Sequence, residues 1–185
     1  MDILTSLHGK RLGLGHNDEV IAAGKSIILD NNGVPTPLGH VGSAKLVAAG
    51  ATEAVTVLQS GKVIKLDTAA GSIATLPAAT GSGAKWLFLV TVLATSNSHK
   101  IQVANATDVF VGIILGTRVD SGNAVLGFAA AADSDTITLN RTTTGSVSLG
   151  EWIEVEDVAA GVFAVRGVLS ATGAAFATPF SAAVS

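Results

Sequence analysis

Trp152-Ile153-Glu154-Val155-Glu156 alternates at period two, with Trp152, Glu154 and Glu156 on one side and Ile153 and Val155 on the other. Successive side chains of a strand point to opposite faces, so this pattern predicts a half-buried antiparallel strand. Lys100-Ile101-Gln102-Val103 repeats it. Trp86-Leu87-Phe88-Leu89-Val90 is apolar on both faces, which suits a central strand or one at an interface. Working outward, apolar and β-branched runs separated by Gly, Ser, Asn, Asp and Thr occur at 54–58, 63–66, 72–76, 86–92, 100–103, 109–115, 124–128, 136–139, 152–156 and 162–169. Starts about 9–16 residues apart are close to the spacing of a sandwich or barrel. The reading is all-β: a β-sandwich or barrel, jelly-roll-like, over residues 51–185. Two Ala-rich pieces, 128–132 and 171–175, are short enough to be single helical turns, but Gly173, Asp133 and neighbouring Thr and Ser exclude long helices.

Residues 1–50 differ. Gly, Asn and Pro break them into short apolar pieces with no helical period, as in an extended arm or small irregular β subdomain. Asp30-Asn31-Asn32-Gly33 is a turn signal, and Gly33-Val34-Pro35-Thr36-Pro37 should run extended. Lys10 and Arg11 are the only adjacent basic pair, flanked by Leu4, Leu7, Leu12 and Leu14. Leucines that fill grooves on a partner, with cations meeting its acidic surface, would make this an anchor. The plainer alternative is a frayed terminus.

Charged residues are 14% of the chain, against about 25% in ordinary soluble domains, while apolar ones are 48%. That balance implies a surface partly covered by partners. Met1 to Lys85 holds 7 basic and 6 acidic residues and the remainder 4 and 8, so no basic face points to nucleic acid. With no cysteine, disulfides, thiolate metal sites and cysteine nucleophiles are excluded. Met1-Asp2-Ile3-Leu4-Thr5 has neither the basic nor the apolar region of a signal peptide. The longest strongly apolar run, 86–94, is half a membrane helix, so no membrane partner is expected.

Candidate chemistry is thin. Ala79-Thr80-Gly81-Ser82-Gly83-Ala84-Lys85 resembles a phosphate loop but lacks the Gly-Lys-Ser/Thr ending, and a strand rather than a helix follows it. A hairpin loop is the better reading. Asp133-Ser134-Asp135 lacks the further oxygens calcium needs. Glu154 and Glu156 lie about 7 Å apart by strand rise, within glycosidase range, but such spacing on one strand arises easily by chance and no tyrosine is present to build a sugar platform, so a solvated strand face is much the better reading. His8, His16 and His40 match no metal spacing. No catalytic residue, metal site or cofactor is expected, and the chain is not read as an enzyme. One internal echo is present: Thr75-Leu76 leads through Thr80-Gly81-Ser82 to Trp86, and Thr138-Leu139 through Thr144-Gly145-Ser146 to Trp152.

Several stretches carry a resemblance. They are Gly61-Lys62-Val63-Ile64-Lys65-Leu66-Asp67-Thr68-Ala69-Ala70-Gly71, then Thr75-Leu76-Pro77-Ala78-Ala79-Thr80-Gly81-Ser82-Gly83-Ala84-Lys85, Ser96-Asn97-Ser98-His99-Lys100-Ile101, Asp133-Ser134-Asp135-Thr136-Ile137-Thr138-Leu139 and Glu151-Trp152-Ile153-Glu154-Val155-Glu156-Asp157. With the opening Leu4-Thr5-Ser6-Leu7-His8-Gly9-Lys10-Arg11, the chain resembles virion structural proteins of tailed bacteriophages, of the head decoration (cement) type, over roughly three quarters of its length. The resemblance implies a protein on the outer surface of the capsid, made in the host cytoplasm. It also implies a homotrimer that clamps major capsid subunits, with the arm as the capsid contact. Trp86, Phe88, Phe110 and Trp152 are the candidates for core or oligomer interface. The alternative role is a tail or tail-fibre module that binds a host receptor.

Overall fold

The computed structural model describes residues 28–29, 35–36, 46–120, 124–172 and 176–184. It divides into two units, residues 1–44 and 45–185. In the first, β1 (Ile28–Leu29) and β2 (Pro35–Thr36) pair antiparallel on either side of the predicted turn signal. Leu4, Leu7, Lys10, Arg11, Leu12 and Leu14 lie outside the described residues, as do His8, His16 and His40.

The second unit is almost entirely β. Its strands are β3 (Leu46–Ala48), β4 (Thr52–Ala54), β5 (Val63–Leu66), β6 (Ile73–Thr75), β7 (Lys85–Val90), β8 (His99–Gln102) and β9 (Val109–Arg118). They continue with β10 (Val125–Ala129), β11 (Thr136–Leu139), β12 (Trp152–Ala159), β13 (Val162–Ala171) and β14 (Phe180–Ser181). A seven-stranded sheet, β10-β9-β13-β12-β7-β5-β3, packs on a five-stranded one, β14-β11-β8-β6-β4, as a β-sandwich.

From β3 to β8 the chain zigzags. Odd strands enter the larger sheet and even strands the smaller, so each strand crosses the core before the next one pairs in the same sheet. Two crossings restore the direction, and β3, β5 and β7 are therefore parallel, as are β4, β6 and β8. A strand in the opposite layer here takes the place of the crossover helix that parallel neighbours usually require. β12 is antiparallel to both neighbours, as its alternation predicted, but β13 and β9 run parallel over ten residues. The sheets are thus mixed.

Two local expectations are corrected. The run 54–58 is not a strand: β4 ends at Ala54, and Thr56 starts a 3₁₀ turn, Val57–Gln59, whose Gln59 side chain accepts the Thr56 N–H. Residues 128–132 form no helical turn, because Phe128 and Ala129 complete β10.

Alternation fills the space between the sheets. Ile64, Leu66, Trp86, Phe88, Ile101, Ile137, Leu139, Ile153 and Val155 are all at most 1% exposed. Trp86 meets Phe163 edge-on at 6.4 Å, and Phe163 meets Phe110 at 6.2 Å. Trp86 Nε1 donates to the Thr56 carbonyl at 3.1 Å, which satisfies the one polar atom of the aromatic cluster. Trp86, Phe88 and Phe110 are therefore core residues of a single chain.

Candidate functional surface

Four of the ten carboxylates among the described residues of the second unit are buried: Asp108, Asp135, Glu151 and Asp157. β12 places one at each end, and each is held by a loop containing Thr-Gly-Ser. Asp157, 1% exposed, accepts the N–H groups of Thr80 (3.1 Å), Gly81 (2.7 Å) and Ser82 (3.0 Å) and the hydroxyls of Thr80 and Ser82 (3.2 and 2.6 Å). Gly81 stands at φ +75°, which turns consecutive N–H groups toward one point. The loop that resembled a phosphate cradle is an anion nest, and its anion is the chain's own side chain. Burial alone would push the Asp157 pKa up. The hydrogen bonds from Ser82, Gly81 and Thr80 outweigh burial and hold it at about 2, below the ordinary 3.8.

The second Thr-Gly-Ser behaves alike. Glu151 accepts N–H groups from Ser146 (2.7 Å), Val147 (2.8 Å) and Ser148 (2.6 Å), and the Ser170 hydroxyl. The sequence echo thus corresponds to two carboxylate nests bracketing β12. Asp135 ties down the C-terminal segment through the N–H groups of Ala183 and Val184 (2.7 and 3.1 Å), and Asp108 accepts the Ala79 N–H at 2.9 Å. Among the described residues no group of three or more His, Asp or Glu is placed to hold a metal ion.

His99 is fully buried. Its Nδ1 accepts the Ser72 N–H and its Nε2 donates to the Val92 carbonyl, both at 2.9 Å, so the ring is held as one neutral tautomer. Burial lowers its pKa against the opposing pull of the Val92 carbonyl, Glu151 and Asp67. The unfolded chain therefore takes up this proton first. Stability from His99 is complete above its ordinary value of 6.5 and is lost as pH falls below it toward the lower folded value. Proton NMR is expected to show the His99 ring still neutral at pH 6.5. A ring half-titrated there would contradict this environment.

The outer face of the seven-stranded sheet is where side chains face solvent. Cross-strand register sets Glu154, Arg166, Ile113 and Ala129 in one row and Trp152, Val168, Leu115 and Gly127 in the next. Toward β7 the face is ionic. Arg166 bonds Glu154 through Nε (2.6 Å) and reaches Glu156 (3.3 Å), while Lys85 lies 3.0 Å from Glu156. The two glutamates read as a possible catalytic pair are each engaged by cations on an open strand face. Toward β10 the face is apolar: Val111, Ile113, Leu115 and Val125 are 43%, 54%, 44% and 63% exposed. Trp152, half-buried, borders this apolar half in the row with Val168 and Leu115.

Of the four aromatic candidates, only Trp152 has side chain to offer a partner. The residues that dominate the exposed apolar face were missed. Their signal was the unbroken run Val109-Phe110-Val111-Gly112-Ile113-Ile114-Leu115, which is apolar on both faces, as Trp86–Val90 is. No helix among the described residues is long and apolar enough to cross a membrane. Comparison with family models, with curated proteins and with solved structures found no match to this chain.

Proposed function

We propose that this chain is a structural virion protein that decorates and stabilises a tailed-phage capsid by bridging major capsid subunits, as a homotrimer. The resemblance described above supplies the virion. The observation that carries the reading is a distribution of side chains: carboxylates turned inward to fasten loops, and Val111, Ile113, Leu115 and Val125 turned outward on a sheet face. Such a face is expensive to leave in water and favours burial against protein. Contacts repeated over a capsid lattice add through effective concentration, so no single one need be tight.

The test uses phage heads assembled without this chain. The full chain is expected to co-sediment with them and raise the temperature at which they rupture. Ile113→Glu is expected to weaken both effects by at least about tenfold in apparent affinity, the scale of losing one desolvated apolar anchor. A native mass that is a multiple of three chains supports the trimer, and a stable monomer removes it.

A second reading, a tail or tail-fibre module that binds a host receptor, is favoured by one feature. The smaller sheet carries a recess of about 620 Å³ in which the apolar Ala51, Ala70 and Ile73 lie beside the polar Ser96, Asn97, Ser98 and Lys100, a mixed lining of the kind small-ligand sites use. Binding to host cells but not to heads would select it.

A further inference from the structure

The sandwich has four edge strands, and they are unlike one another. β3 and β4 have three residues each and β14 has two, and β4 carries Glu53. β10 has five residues, Val125-Leu126-Gly127-Phe128-Ala129, and no charge or proline occurs between Asp120 and Asp133. Proteins normally blunt an open edge with charge, proline or shortness, because its unpaired N–H and C=O groups are a template for another strand. β10 has none of these protections.

The ladder identifies which groups are free. Ala130 N–H donates to the Gly112 carbonyl at 3.0 Å. By antiparallel alternation Phe128 and Leu126 also turn their backbone groups to β9, leaving those of Val125, Gly127 and Ala129 on the open edge. The strand is also self-complementary about Gly127. Antiparallel pairing with a copy of itself sets Gly127 opposite Gly127, Val125 opposite Ala129 and Leu126 opposite Phe128. On the outer face small residues meet beside Ile113 and Leu115. On the inner face Leu126, 43% exposed although its register partner Gly116 is buried, projects past its own core. A recess of about 390 Å³ lies beside that edge, lined by Phe128, Phe180, Thr178 and Asp133 among others.

We propose that β10 is a two-fold contact between two copies of this chain, continuing the seven-stranded sheet from one into the other. About six backbone hydrogen bonds form across the axis. Leu126 of the second copy enters the recess against Phe128 and Phe180, and the contact is isologous, the same strand on both sides. It is independent of the capsid reading.

Gly127→Cys in the full chain tests this directly. An added Cβ at Gly127 makes only ordinary contacts, 3.6 Å from Ile113 and 3.8 Å from Leu115, so the variant folds. The chain has no other cysteine, and hydrogen-bonded opposite residues stand about 5.5 Å apart between Cα atoms, within disulfide reach. Mild oxidation is expected to give a disulfide-linked dimer at least about tenfold faster than Leu58→Cys, a 91% exposed control, through the higher effective concentration. Gly127→Lys, which sets two like charges on the axis, is expected to halve the native mass. A Gly127→Cys chain that cross-links no faster than the control overturns the proposal, whatever its native mass. That is also the outcome if the edge instead serves a strand of another protein.

Discussion

Asp157→Ala is expected to lower folding stability by roughly 3 kcal/mol or more, because it strands three backbone N–H groups and two hydroxyls that now share one buried carboxylate. Asp157→Asn should cost less, near 2 kcal/mol by the same reasoning, since the amide keeps one acceptor oxygen but turns an NH₂ toward a donor. Denaturant unfolding monitored through Trp86 and Trp152 measures both. The pH dependence is a second, independent readout. The folded carboxyl titrates at about 2 and the unfolded one near 3.8. Its contribution is fully present above 3.8 and is lost as pH falls toward 2, where the folded carboxylate also takes a proton. Asp157→Asn should lack that component of acid unfolding. Wild-type stability in both variants would mean that the Thr80-Gly81-Ser82 loop is held by something other than the carboxylate.

Gly112→Ala is expected to be at least as damaging, with a loss of at least about 3 kcal/mol and little soluble protein. Gly112 sits at φ +127°, and an added Cβ would stand 2.1 Å from the Val165 carbonyl oxygen. The obstacle is backbone of β13, so no side-chain rotation relieves it. The parallel pairing of β9 with β13 would have to open at its centre. Gly127→Ala, on the neighbouring strand, is the control. Its Cβ meets only ordinary contacts, and the chain should fold with stability within about 0.5 kcal/mol of wild type. Soluble yield and thermal melting of the two variants side by side decide the matter. Equal behaviour would show that β9 and β13 do not approach as closely as described.

The contrast between these glycines shows how much of the fold is legible before it is seen. Both lie in apolar, strand-like runs. Nothing within five residues of either one says that Gly112 faces a carbonyl and Gly127 faces solvent. The Thr-Gly-Ser loops are a similar case. Their repetition, and the acidic residues at 151 and 157, are visible in the chain, but Thr80 and Asp157 are 77 residues apart, and only the antiparallel return of β12 along β7 brings them together. The hairpin reading of this loop is corrected: β6 and β7 lie in different sheets, so residues 76–84 cross between the layers, and the nest they form holds an anion. The error open to any local reading is to look for that anion outside the protein.

Local residue pattern by itself determined the all-β character, the position of most strands and the inward set Ile153, Val155, Ile101 and Ile64, because strand geometry repeats every two residues and needs no distant information. It also set the charged share at 14%, below the roughly 25% of ordinary soluble domains. Tertiary structure decided what depends on contacts between distant segments. It set the zigzag that makes β3 to β8 parallel within each sheet, and the burial of Trp86, Phe88 and Phe110 inside one chain. It also set the outward exposure of Val111, Ile113 and Leu115 and, among the described residues, the unpaired edge of β10. A run that is apolar on both faces states that both faces want cover. Whether that cover comes from the same chain or from another is settled only when the sheets are stacked, because burial depends on which layer lies opposite and not on the order of residues along the strand.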